Sequence, residues 1–382
     1  MPINQKESRL SEFITNPRAA VWKLSIPMML GMMVQAVYML VDTAFIGKWV
    51  GGSALAGLGY VFPIMFIVFG ITFGLGSGIT TVIAQYIGKN EKKNADNAAE
   101  HSLLLGVIIS ILVLILGLTQ GDHFIAVQGA DSEVLGDALT YFHIMIGGSV
   151  FMIISIFFRS ILSGEGEAMF PMKVMAIGTL SNIILDPIFI HYWGLSGAAI
   201  ATILSQAIVA IIFTYMMFFR HHTYIRFALK DFSFDFSFFK LIFKLGIPAS
   251  MSMVIMSLGV SVFNRILGST EAVAAYQTAG RIEHLFFLPL ISIATSLVTL
   301  VGMFYGAKRL DLIKNIILYG ISRSLMITIS VGVVFFFTAQ YFLPVFTNSP
   351  EIISISISYF KVMVFAYPFV TIGLTSGRIM QG

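Results

Sequence analysis

Two carboxylates stand in apolar surroundings where a charge needs a reason. Asp42 lies in the run Leu40-Val41-Asp42-Thr43-Ala44-Phe45, and Asp186 in Ser181-Asn182-Ile183-Ile184-Leu185-Asp186-Pro187. Asn182 and Asp186 are four residues apart, as are Tyr38 and Asp42, so each pair shares one face of a helix. Thr202 sits early in the next apolar run, which returns in the opposite direction. Two carboxylates, an amide, a phenol and a hydroxyl at one level make an oxygen-rich set. Such a set suits a hard monovalent cation such as sodium, ligated by Asp42, Asp186 and Asn182, or a proton carried on a carboxyl. Pro187 has no N–H to give, which frees the carbonyl of Ile183 as one more oxygen. The plainer alternative places both acids among headgroups, solvated or capping loops.

A second pattern accompanies the first. Met28, Met32, Gln35, Met39 and Asp42 follow at spacings of four, three, four and three, which is one helical stripe. Met175 lies one heptad before Asn182 and points the same way. Thioethers are flexible and polarisable and suit a surface that accepts many shapes. Ordinary helix packing would use the same stripe.

The elements that must hold these residues follow from composition. Of the 382 residues, 57% are hydrophobic and 11% charged, and the mean hydropathy is +0.89. A soluble domain carries about 25% charged residues. Apolar runs longer than the roughly 18 residues that cross a bilayer recur throughout, and lipid leaves helices as the way to satisfy their backbone. Helices are predicted at 21–46, 54–87, 101–118, 139–162, 168–190, 196–219, 238–267, 272–305, 313–337 and 352–380. Lys and Arg fall at one set of ends: Lys6, Arg9, Arg18 and Lys23; Lys89, Lys92 and Lys93; Arg159 and Lys173; Arg220, Arg226, Lys230, Lys240 and Lys244; Lys308, Arg309 and Lys314; Arg378. The other ends hold only Lys48 and Arg265. The positive-inside rule therefore puts both chain ends in the cytoplasm of a multi-pass protein of the cell membrane. The net charge of +4 belongs to those loops rather than to a nucleic-acid surface. No cleavable leader is evident before residue 17.

The chain also repeats itself. Lys23-Leu24-Ser25-Ile26-Pro27 recurs as Lys244-Leu245-Gly246-Ile247-Pro248, and the segment from Ala54 aligns without gaps to that from Ala272. Gly88 then meets Gly306, Glu133 meets Glu351, Tyr141-Phe142 meets Tyr359-Phe360, and Gly164 meets Gly382. A unit with an even number of helices relates its copies by an axis along the membrane normal, with the substrate site between them. The expected fold is an all-α membrane protein, a two-fold pseudosymmetric bundle of 6 + 4 transmembrane helices where the repeat implies 6 + 6, the last two being absent. The expected lobes are 1–219 and 238–382, joined by a linker at 220–237.

In the second lobe Arg281, Glu283 and His284 cluster, and Lys361 at a similar depth is the expected partner of Glu283, in a structural ion pair or in a proton or substrate site. Asn264, Arg265 and Arg323 have no assigned role. There is no nucleotide loop, zinc motif or nucleophile motif, and no cysteine. The run Gly74-Leu75-Gly76-Ser77-Gly78 marks close helix contact instead. Neither an enzyme nor a bound cofactor is expected.

The Leu40-Val41-Asp42-Thr43-Ala44-Phe45-Ile46-Gly47 run, the Asn182…Asp186…Thr202 pattern and the two halves resemble the multidrug and toxic compound extrusion (MATE) family over nearly the whole chain. The resemblance implies antiport: export of cationic, aromatic compounds in exchange for sodium ions or protons. It implies that Asp42 and Asp186 bind the coupling ion, with Tyr38, Asn182 and Thr202 as partners, and that Gln35, Met32, Met39 and Met175 line the substrate cavity. Some members carry an acid where this chain has Met256, so a coupling site in the second lobe is not implied here. Expected partners are small cationic molecules and membrane lipid, acting on a monomer. A lipid-linked precursor flippase of the wider superfamily is the nearest rival, and it calls for a strongly cationic cavity. A receptor or scaffold is another, and buried acids give it no advantage.

Overall fold

The computed structural model describes residues 8–50, 52–127, 132–220, 223–228, 232–267, 270–345 and 349–382, and the described secondary structure is helical throughout. A short helix α1 (Leu10–Thr15) precedes α2 (Pro17–Trp49), α3 (Gly52–Gly88) and α4 (Lys92–Val127). Helices α5 (Ser132–Gly147) and α6 (Ser149–Gly164) follow, then α7 (Met169–Thr214), which ends in a π-turn at Tyr215–Phe219. After the linker come α8 (Phe236–Leu267), α9 (Thr270–Gly306), α10 (Leu310–Phe342) and α11 (Pro350–Ile379). Seven described stretches are long and apolar enough to cross a membrane, and α5 with α6, bent by 46° at their junction, make an eighth.

Two of these elements are not single rods. The apolar stretch through α7 covers 51 residues, far more than the about 20 a bilayer needs. It reverses at Gly194, where φ +55 and ψ −133 lie outside the range of a helix and suit glycine. Gly197 completes the turn, since a Cβ there would lie 2.0 Å from the carbonyl oxygen of Phe189. The expected break between 190 and 196 is thus a tight hairpin. Helix α4 begins nearer the chain start than the expected 101. Its polar first turns stay helical because Ala95, Ala98 and Ala99 pack on the core and Lys92 pairs with Asp96 one turn on.

The turns at 89–91, 165–168 and 307–309 all lie at one end of the bundle, here called basal. Near that end the helices before and after the linker are locked together. A Cβ on Gly88 would sit 2.0 Å from the Met303 carbonyl oxygen, and one on Gly306 2.1 Å from that of Gln85. Farther up, Gly78 meets Ile242 and Gly246, and Gly74 meets Ser250. Hydrogen bonds follow the same seam. Trp22 Nε1 donates to Tyr319 Oη (2.8 Å), Thr299 to the Ser163 carbonyl (3.0 Å), and Ser25 and Ser296 face each other at 3.2 Å. Among the described residues these bonds reach as far as Ser250 with the Ile71 carbonyl, halfway along α3, and stop. The glycines of the 74–78 run therefore serve the close contact read from the sequence.

The linker is strapped to the basal face rather than free. Glu165 accepts the backbone N–H groups of Tyr224 and Ile225, Asp96 that of Arg226, and Glu100 that of Ala228. His101 is fully buried among Phe232, Phe234, Phe238 and Phe239, and its Nε2 accepts from the Asp235 N–H at 2.9 Å. Asp235 in turn accepts from the Ser237 N–H, and this bond holds its carboxyl below the usual range.

Candidate functional site

Parallel packing of α2 on α7 sets the level of the acids. Gly31 lies against Met172 near the basal end. From there Asp42 is about 16 Å up α2, and Asp186 about 21 Å up α7, so both reach the outer half of the bundle. Gly194 does the rest. Asp186 lies eight residues before it and Thr202 eight after, so the hairpin returns Thr202 to the level of Asp186.

The five residues expected to share a site lie near one another. Tyr38 Oη and Thr202 Oγ1 are 3.1 Å apart, and Asn182 Nδ2 donates to Asp186 Oδ1 at 3.1 Å. The Asp42 and Asp186 carboxyls are near enough to act on each other electrostatically. Asp186 is fully buried and Asn182 1% exposed, so the headgroup alternative does not describe them. Three oxygens in this set, Asp42 Oδ1, Asn182 Oδ1 and Asp186 Oδ2, are buried without a hydrogen-bond partner. Buried polar atoms are nearly always satisfied, and an unpaired buried acceptor costs about 1–3 kcal/mol. An oxygen cluster with unused lone pairs fits a small cation or a proton. Two neighbouring carboxyls also call for a positive charge between them.

One member escaped the sequence reading. Tyr141 on α5 lies beside Tyr38, Asp42 and Asp186 and is 8% exposed. The signal was in the repeat, which matches Tyr141 to Tyr359. In the second half Tyr359 donates to Glu283 Oε2 (3.1 Å) and Tyr367 to Oε1 (2.5 Å). Tyrosine hydroxyls are thus the partners of Glu283, and the expected ion pair with Lys361 is not made; Lys361 is exposed. A phenol donates within the bundle at lower desolvation cost than a buried ammonium, which can stay in a polar setting instead. The side chains of Lys48, Arg265, Asn264, Met256, Glu133 and Arg281 lie outside the described residues.

The proposed cavity residues divide. Met32 and Met175 are half-buried, Gln35 and Met39 exposed. Met175 meets α6, where it accepts from Arg159.

A bundle of long apolar helices, with buried acids grouped away from the locked end, belongs to the class of helical membrane transporters. Comparison with known proteins places it within that class. The MatE family model matches residues 27–188 and 247–382, and the chain belongs to the MATE family of multidrug efflux transporters, which are not enzymes. It is 30% identical to a probable multidrug resistance protein NorM of Thermotoga maritima over 66% of this chain and 56% of that one, so the match spans little more than half of that relative. It is 24% identical to the multidrug export protein MepA of Staphylococcus aureus over 94% of this chain and 80% of that one. A solved MATE structure in a bent conformation matches with a TM-score of 0.92 at 31% identity, covering 98% of this chain and 84% of that one. One described as the outward-facing conformation of a multidrug resistance MATE transporter matches at 0.91 and 32% identity, with coverage of 96% and 82%.

Proposed function

We propose that the chain is a cation-coupled antiporter that exports cationic, aromatic compounds by alternating access. The observation that carries this reading is the cluster of Asp42, Asn182 and Asp186, whose buried oxygens lack partners inside the protein. A sodium ion or a proton arriving there satisfies them and releases cargo. Cargo entering from the other side drives the ion off. Exchange requires that ion and cargo each disfavour the other's bound state, and that coupling is reciprocal. Gln35, Met32, Met39 and Met175 would line the path of the cargo.

Several finer points belong to the same reading. The lobes are read as 1–219 and 238–382 with 220–237 as linker, and the spans as 6 + 4, a reading that counts α7 as two spans, α5 with α6 as one, and α8 as one. The repeat sets the second lobe against the first four spans of the first. On the distribution of Lys89, Lys92, Lys93, Lys308 and Arg309 the basal end is read as cytoplasmic, and on that reading its close packing corresponds to an inward-closed arrangement. The protein works as a monomer in lipid. The acid cluster disfavours a pyrophosphate-bearing lipid as cargo.

The test is transport by the full chain in vesicles, with sodium and pH gradients imposed separately. Efflux of a fluorescent organic cation should follow one gradient, and Asp42→Asn should abolish it while leaving the protein in the membrane. Undiminished gradient-driven efflux by Asp42→Asn sinks the proposal.

A further inference from the structure

Arg323 stands well inside a membrane-spanning helix. The apolar stretch of α10 covers 33 residues, about 50 Å, against a hydrocarbon core of about 30 Å. Arg323 lies about 20 Å from the basal start of that helix, and a charge at such depth ordinarily marks function. Side chains lean toward the helix N-terminus, so Arg323 reaches down toward the basal boundary. There its guanidinium stands 5.1 Å from the centre of the Tyr319 ring. Arg18 on α2 approaches the same ring at 5.4 Å, and its Nε donates to Asn315 Oδ1 at 3.3 Å. Among the described residues neither arginine pairs with a carboxylate. Two nearby acids are engaged elsewhere, Asp311 with Arg309 and Glu12 with Lys23. Tyr319 adds a donor: its hydroxyl accepts from Trp22 Nε1 at 2.8 Å, which leaves its own proton to give.

This groove faces away from the acid cluster. On α2, Arg18, Trp22, Ile26 and Leu30 follow at spacings of four. Ile26 lies two residues from Met28, hence on the opposite side of the helix from the Met28–Asp42 stripe. Ile26 and Leu30 are exposed, as is Met326 on α10, whose sulfur is a weak acceptor for Arg323 at 3.5 Å. Cationic donors near the base, with bare apolar side chains outward of them, match an amphiphile whose anionic head lies at the boundary and whose chains run along the helices.

We propose that Arg18, Arg323 and the Tyr319 hydroxyl hold the phosphate of an anionic phospholipid of the basal leaflet. Guanidinium groups offer paired N–H donors to phosphate oxygens. A zwitterionic headgroup brings an ammonium as well, and the described residues of the groove give it no carboxylate. Helix α2 precedes the linker and α10 follows it, so the bound headgroup bridges the basal seam. The site is separate from Asp42 and Asp186, and it stands whatever ion and cargo the protein exchanges.

Trp22 lies in the groove and reports on it. The full chain carrying Trp49→Phe and Trp193→Phe keeps Trp22 as its only tryptophan. In phosphatidylcholine vesicles, lipids brominated on their chains quench Trp22 when they occupy the groove. Brominated phosphatidylglycerol should take the site about twentyfold more readily than brominated phosphatidylcholine, since each nearby cation contributes a factor of about five. Arg18→Gln and Arg323→Gln should each lower that preference about fivefold, and the double variant should bring it to about one. Arg323→Lys should keep most of it, and Lys240→Gln, at an exposed position on α8, should change nothing. Thermal unfolding reports whether each variant folds, and Arg18→Gln, at an exposed position, carries the test if Arg323→Gln does not fold. Excess inorganic phosphate, compared with chloride at equal ionic strength, should leave the quenching as it was. Equal quenching by the two brominated lipids, a preference that survives the double variant, or relief of quenching by phosphate overturns the lipid site.

Discussion

At the residue scale, the site is a balance between paired and unpaired oxygens. Tyr38 and Thr202 satisfy each other across α2 and the returning half of α7. A neutral hydrogen bond of this kind contributes about 1 kcal/mol, a factor of about five in an equilibrium. Tyr38→Phe and Thr202→Ala should each lower the apparent affinity for the coupling ion by about that factor, and the double variant should lose little more than either. Ion-dependence curves of efflux would read this, and fully additive losses would separate the pair. Glu283 belongs to a different balance. Changing it to Leu leaves the hydroxyls of Tyr359 and Tyr367 without their acceptor and should destabilise the protein by about 2–3 kcal/mol, seen as a fall in Tm. Glu283→Gln, which still accepts one of the two bonds, should cost less. The sequence exposed Asp42, Asn182, Asp186, Tyr38 and Thr202 because charge and spacing within a helix are written in it. Tyr141, which reaches the cluster from another helix, had only the weaker cue of its repeat counterpart Tyr359. Nor did the sequence reveal the partners of Glu283, since a tyrosine and a lysine at one depth look equally suitable until packing chooses.

At the element scale, glycine decides where helices touch and where they turn. The hairpin at Gly194 was legible only as a gap between two apolar runs, because the positive φ that makes it is a property of the backbone and not of the pattern. The helical repeat was legible because it preserves small residues, Gly88 with Gly306 among them. These two lie at the locked seam, and each leaves no room for a side chain against the opposing backbone. Gly88→Ala should hold the seam apart, since the atom it meets is a main-chain carbonyl that cannot move aside. A thiol reagent should then label a cysteine placed at Thr81, on the same seam, at least tenfold faster than in the protein with Gly88 intact. Gly59→Ala, where a Cβ would meet nothing within 4 Å, is the matched control and should leave labelling unchanged. Equal labelling in all three would show that the seam is not held by close backbone approach.

At the scale of the whole molecule, the closed base and the acid cluster belong to one cycle only if the base must open for transport. Ser25 on α2 and Ser296 on α9 provide the means to ask. Their hydroxyls are 3.2 Å apart, both side chains are essentially buried, and they sit on either side of the seam. Cysteine is close in size to serine, and the natural chain has none, so a pair placed here has no competitor. Oxidation of the double variant Ser25→Cys/Ser296→Cys should join the two helices and stop efflux. Reduction should restore it, and each single variant should transport normally under both conditions. A disulfide fixes its Cα atoms within about 7 Å of each other, which permits no parting of the helices at this level. The cross-link lies on the basal side, far below Asp42, so it should leave ion binding at the cluster intact while blocking exchange. That pattern, binding without turnover, is what alternation between two closed ends requires. Efflux that continues at the wild-type rate in fully cross-linked protein would mean that cargo leaves by a route that does not pass between the helices joined here.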